Sequence, residues 1–324
     1  MAAQNDQMRQ IWETVMHAEL RVPDHYSNVA VLILHWAEAL DEDLKVASEV
    51  KLLAEAFKHD FGFDVKVVQL DDRPKRPQLQ LDKAMTDFVY DNDGDHGNHL
   101  LIVYYTGHGF VRFNSPHELM ISGKARDERA ASDGAFEPNA NWSQAERTLS
   151  GALADTLVVL DCCCAGNVMN GALNPTTTRS YELIAAAGRD GTTKRPGEGS
   201  YTHALIQALH ELGTAKHTFT TADLHRRISE LRPSVGSSHL YDWLPGLRRI
   251  PFTSRAYRKG IETWKPMTAS GSLNIRIEFQ DQLSIDAADM TKLAHTLSTL
   301  PVNTGLAICG IRYPGCVLQI AAAE

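Results

Sequence analysis

Three uninterrupted apolar runs constrain this chain more than any other feature: VAVLILHW at 29–36, HLLIVYYT at 99–106 and TLVVLD at 156–161. A strand covered on one side alternates apolar and polar residues. Runs without polar positions must be buried on both faces, as in a parallel sheet lying between helices. The intervening segments carry the complementary helical period. Over 41–61, Leu44, Val46, Val50, Leu52, Leu53 and Phe57 form one stripe, and Gly62 stands where such a helix would be capped. Helices are also predicted over 79–90, over 144–153 and in SYTHALIQALHEL at 200–212. Strands are predicted in DVKVVQL at 64–70 and YELIAAAG at 181–188. Strand and helix alternating in this way predict an α/β fold, a mostly parallel β-sheet flanked by helices on both faces.

The flanks differ from this middle. Ile11, Val15, Met16 and Leu20 have helical spacing, so 1–28 reads as an N-terminal helix and lead-in. The sheet-forming unit is placed at 29–255. Beyond it, SLNIRIEF, MTKLAHTLSTL, GLAICGIRY and CVLQIA predict a small C-terminal β-α-β-β extension over 256–324. Polar, Gly- and Pro-containing stretches at 124–141 and 188–199 read as exposed loops.

A formal net charge of −8 disfavours nucleic acid and anionic membrane surfaces as partners. The first twenty residues lack the apolar core of a signal peptide, and no run reaches the roughly 20 apolar residues of a membrane span. Three of the five cysteines, Cys162, Cys163 and Cys164, are consecutive. Adjacent strand residues point to opposite faces, so such a run is a poor disulfide framework, and a reducing, cytoplasmic location fits. Its spacing is also wrong for structural zinc, and no metal or cofactor is expected. Tyr104, Tyr105 and Trp36 read as packing residues.

Reactive groups in a sheet of this kind collect beyond the carboxyl ends of the strands. Two ends are chemically loaded. YYTGHG places His108 between two glycines, and LDCCCAG puts a thiol at the turn after an apolar strand. A nucleophilic thiol needs a base, which a histidine on a neighbouring strand end can supply. His108 precedes Cys163 by 55 residues, room for one crossover and close to the spacing of a caspase-type pair.

These two motifs resemble those of the caspase and metacaspase superfamily, where a Gly-His-Gly turn supplies the base and an Asp-x-Cys-x-Ser/Ala-Gly turn the nucleophile. The resemblance covers roughly 29–252, including GSYTHALIQAL, and selects Cys163, two residues after Asp161. It implies a cysteine endopeptidase with catalytic His108 and Cys163 and an oxyanion hole from the backbone N–H groups of Gly109 and Cys163. Asp161 stands where metacaspases, which cut after Arg or Lys, keep an acidic residue. Their pocket maps further onto Thr106 and Glu49. Lys194 and Arg195 lie in a loop that resembles a processing site and suit self-cleavage.

Protein or peptide substrates, a homodimer or larger signalling assembly, and a role in cell death or immunity are what the resemblance implies. Two departures stand out: GFVRFNSPHELM and Asn170 lack the acidic residues of a calcium-dependent metacaspase, and Cys164 replaces the family's frequent histidine. Cleavage after Asp, and a signalling module with weak or latent proteolysis, remain alternatives.

Overall fold

The computed structural model describes residues 25–71, 76–94, 98–112, 115–125, 138–170, 179–189, 191–216, 218–233, 238–242, 249–258, 272–276, 288–289, 291–293, 295–296, 306–312 and 317–322. The expected leading helix at 7–20 lies outside them. Along the chain, β1 (Asn28–Trp36) is followed by α1 (Ala47–Ala56), β2 (Asp64–Leu70), α2 (Pro77–Asn92) and β3 (His99–Thr106). Next come β4 (His108–Arg112), β5 (Ser115–Ser122), β6 (Asn139–Asn141), α3 (Trp142–Ala145), α4 (Arg147–Ser150), β7 (Asp155–Asp161) and β8 (Tyr181–Ala185). Then follow α5 (Tyr201–Ala215), β9 (Thr218–Thr220), α6 (Thr221–Leu231), β10 (His239–Asp242), β11 (Pro251–Thr253) and α7 (Arg255–Arg258).

Six strands form the central sheet in the order β10-β8-β7-β3-β1-β2. The pairs β2–β1, β1–β3, β3–β7 and β7–β8 are parallel, and β10 closes one edge antiparallel to β8. The expected mostly parallel α/β sheet is therefore present. The apolar runs explain why β1, β3 and β7 are its central strands, for each is buried on both faces. Val31, Ile33, Ile102, Tyr104, Leu157 and Val159 enter one core with Leu53, Leu205, Leu209 and Ile228 of α1, α5 and α6. Leu32, Leu34, Leu101, Val103 and Tyr105 are buried on the opposite face. Each fully buried aliphatic side chain is worth about 1.5–3 kcal/mol of transfer free energy, so the two faces hold the sheet between its layers.

Several local expectations are corrected. The stripe over 41–61 is helical only from Ala47; residues 57–61 then form a wider π turn, and Gly62 caps it at φ +69°. The helix expected at 144–153 is two four-residue helices beginning at Trp142, where Asn141 Oδ1 accepts from the Gln144 N–H at 3.0 Å. Gly107 does not continue β3. The chain turns there and enters a separate antiparallel sheet of β4, β5 and β6, so the end of the expected 124–141 loop is a strand. Helix α6 was not anticipated, although a reciprocal capping box of Thr220 and Asp223 marks its start.

The chain forms two compact units, and the one just described holds the residues from Tyr26 to Leu244 and from Arg249 to Gly260. Within the second unit, β12 (Ser272–Arg276), β13 (Leu306–Arg312) and β14 (Val317–Ala322) form an antiparallel sheet in the order β12-β14-β13. The described residues of the expected helix between its first two strands, 288–289, 291–293 and 295–296, are helical. Among the described residues, no helix is long and apolar enough to cross a membrane.

Candidate active site

The register of the central sheet brings the two motifs to one place. Thr106, the last residue of β3, pairs with Asp161, the last of β7, so His108 and Cys163 each follow by two residues from adjacent strand ends. Gly107 makes the first turn at φ +148°, with its N–H donating to Asp161 O at 3.3 Å. A Cβ there would lie 2.5 Å from Tyr105 Oη, so only glycine fits. Gly109 is held more tightly still: an added Cβ would collide with Cys163 O and meet Cys162 Sγ at 2.8 Å. The backbone after His108 therefore runs directly against the cysteine turn.

Alternation decides which cysteine is which. Cys162 is fully buried, and burial pushes its thiol well above the usual range, leaving it a poor nucleophile. Cys163 and Cys164 are partly exposed. Cys164 takes a left-handed backbone, φ +59°, and its N–H donates to Gly191 O at 3.0 Å. Asn167 Nδ2 donates to Cys164 O at 3.0 Å and Arg189 O at 2.6 Å, fastening the cysteine turn to the segment after β8.

On the face of the sheet shared with Tyr104, the expected pocket residues are brought together. Asp161 is buried and accepts from Thr202 Oγ1 at 2.8 Å and Tyr104 Oη at 3.3 Å. Burial pushes its carboxyl up to about 6, against the Thr202 hydrogen bond and the Arg232 charge, while the charge of Glu49 adds to the rise. Glu49, on α1, is also buried. Its Oε1 accepts from Gly197 N–H at 2.7 Å and Ser200 Oγ at 2.8 Å, which ties the Gly-rich loop down. Thr106 is buried at the end of β3. Lys194 and Arg195 are exposed in that loop, between the attachments at Gly191 and Gly197.

Two groups escaped the sequence reading. Arg232, 5% exposed, lies over the Tyr201 ring at 5.4 Å; its Nη2 has no partner among the described residues. Asp43 receives His108 Nε2 on both carboxylate oxygens, at 3.0 and 3.1 Å. Burial pushes Asp43 upward, but the hydrogen bond and charge of His108, with Arg195 adding, hold it below the usual carboxylate range. Asp41, buried next to this pair, is pushed up by burial against the Val46 N–H. Asp41, Asp43 and His108 each offer a ligand atom within 4.8 Å of the others. Within this cluster Asp43 is hydrogen-bonded to His108, and Asp41 accepts from the Val46 N–H at 3.0 Å.

Comparison with known proteins gives the family. The caspase-domain family model matches residues 29–239. No curated protein matches the chain. Among solved structures, caspase-1 from Spodoptera frugiperda is similar at 15% identity and a TM-score of 0.40, over 69% of this chain and 90% of that one. The match across residues 29–239 takes in the parallel strands of the sheet, both loaded strand ends and the Glu49 and Asp161 carboxylates, and the chain belongs to the caspase-domain family, a family of cysteine peptidases.

Proposed function

We propose that this protein is an endopeptidase of metacaspase type, in which Cys163 is the nucleophile and His108 the general base and acid. The observation that carries this is the pairing of Thr106 with Asp161, which sets the two reactive residues beyond neighbouring strand ends. The Cys163 proton passes to His108, and the thiolate adds to the scissile carbonyl carbon. The backbone N–H groups of Gly109 and Cys163 face the developing oxyanion, a role supported by the close approach of their backbones. Collapse of the adduct expels the amine, which takes the proton from His108. Water activated by the same imidazole then hydrolyses the thioester.

Asp161, Glu49 and Thr106 form the pocket for the residue before the cut, and two buried carboxylates against one buried Arg232 leave an excess of negative charge. That balance favours Arg or Lys. Arg232 supports a second reading, since a buried guanidinium with an unpartnered Nη2 is also suited to an acidic side chain. Self-processing after Lys194 or Arg195 would pass between two copies. Within one chain the loop is tied at Gly191 and Gly197, and it would have to leave those attachments to enter its own site. The family suggests a role in cell-death or immune signalling and a dimeric state.

Paired fluorogenic peptides, one ending in Arg and one in Asp, test these readings with parent, Cys163→Ala and His108→Ala, with and without calcium. The expected outcome is calcium-independent cleavage of the Arg peptide that falls by at least about 10⁴-fold in either variant. Cleavage of the Asp peptide would transfer the pocket to Arg232. Silence of the parent toward both would favour a signalling module.

A further inference from the structure

We propose that Asp43 is the positioning residue of His108, converting the dyad into a Cys163–His108–Asp43 triad; this rests on the reading of Cys163 as the nucleophile. An imidazole serving a thiol must present one nitrogen to sulfur and carry a proton on the other. His108 Nε2 is committed to Asp43, with both oxygens in reach, and Nδ1 is thereby the ring nitrogen left for Cys163. A carboxylate on Nε2 requires a proton there, which selects the tautomer whose Nδ1 lone pair can accept the thiol proton. When that proton moves, the thiolate and imidazolium form together, and the positive charge lies against an anion already in place.

The surroundings keep Asp43 in this role. Its side chain is 36% exposed and that of His108 16%, so the pair is shielded on one side only. Other charges reach the pair from two segments. Asp41, in the same β1–α1 connection, is pushed up by burial and acts on His108. Arg195, from the Gly-rich loop, acts on Asp43. On the cysteine turn, the neighbouring Cys162 is held as a neutral thiol by burial. Asp43 lies in the consecutive acids Asp41-Glu42-Asp43, at the start of the segment whose sequence predicts a helix over 41–61. Only the fold brings one of the three, Asp43, into hydrogen bonding with the histidine.

The test separates chemistry at sulfur from peptide cleavage. In full-length protein carrying Cys164→Ser, alkylation of Cys163 by iodoacetamide is followed by peptide mass spectrometry from about pH 5.5 to about 8.5, alongside kcat and KM. Asp43→Asn, whose amide can donate to Nε2 and fix the opposite tautomer, is expected to slow alkylation most below neutrality. It should lower kcat by about 10²-fold and leave KM within about twofold. Asp43→Glu should recover most of both losses, which a merely structural role would not predict. If Asp43→Asn alkylates and turns over like the parent, or raises KM alone, the proposal fails while the nucleophile stands. If Cys163 of the parent reacts no faster than an ordinary exposed thiol, the proposal falls together with the reading of the site.

Discussion

Two carboxylates flank the same pair of strand ends and have been pushed in opposite directions. Asp161 is enclosed, held by the hydroxyls of Thr202 and Tyr104, and burial lifts it to about 6. Asp43 is a third exposed, paired with His108, and held below the usual range despite its own partial burial. Hydroxyl donors soften the cost of a buried anion without cancelling its charge, so Asp161 keeps an electrostatic demand that a substrate cation can meet. The imidazole meets that demand for Asp43 within the protein. Under the proposed reading, one side of the site receives charge from the substrate and the other manages charge created during the reaction.

The sharpest way to break this contrast is to remove the enclosed acid. Asp161→Ala is expected to reduce kcat/KM for an Arg peptide by about 10²- to 10³-fold, mostly through KM, because a pocket carboxylate paired with a guanidinium acts in substrate binding. The variant also removes the carboxylate that accepts from Thr202, leaving the Tyr104–Thr202 hydroxyl pair at 2.7 Å with one donor unmatched, at a cost of about 1–3 kcal/mol in unfolding free energy. Steady-state kinetics with denaturant melts reads both. An unchanged KM would place Asp161 outside the substrate pocket and leave it a purely structural acid.

Acidity separates the two carboxylates next. A group raised to about 6 from 3.8 binds its proton more tightly when folded, so Asp161 costs nothing below about pH 4. Its penalty grows as pH rises to about 6 and is constant above, at about 3 kcal/mol in size. Asp43 runs the other way: its stabilisation is present above the unfolded carboxylate range and is lost as pH falls through the lowered folded value. Glu146 and Glu182, lifted by burial to about 8 and about 7, penalise the folded state as Asp161 does, so only the difference between parent and Asp161→Asn isolates one acid. That difference should widen in favour of the variant between about pH 4 and about pH 6. In the parent, KM for the Arg peptide should rise below about pH 6, as Asp161 gains its proton.

How much of this was legible depends on where the information resides. The apolar runs of β1, β3 and β7 announce burial on two faces, and the place of Asp161 beyond a strand end, two residues before Cys163, follows from the same pattern. Asp43 and Arg232 were invisible for the opposite reason. Neither belongs to a pattern, and each acquires its role from a partner far along the chain, Asp43 from His108 and Arg232 from the Tyr201 ring and Asp161. The sheet of β4, β5 and β6 was missed because His108-Gly109 reads as a strand terminus. The turn at Gly107 instead starts a hairpin whose pairing with Ser122 and Ile121 local sequence cannot specify. Left-handed Cys164 was equally hidden, since a cysteine carries no signal for positive φ.

The smallest expected effect tests whether the exposed side of the contrast is tuned from outside the pair. Arg195 is exposed and acts on Asp43 only through its charge, one of several influences lowering that carboxyl. Exposed charges separated by water are screened at physiological ionic strength, and such interactions are worth under about 1 kcal/mol. Arg195→Ala should therefore change kcat by less than about threefold at low salt and by nothing measurable at about 0.5 M salt, where the Debye length shrinks to a few ångströms. Parent and variant are compared across that salt range with the Arg peptide. A loss that persists at high salt would mean that Arg195 contacts the substrate directly, and the Gly-rich loop would then form a wall of the binding cleft.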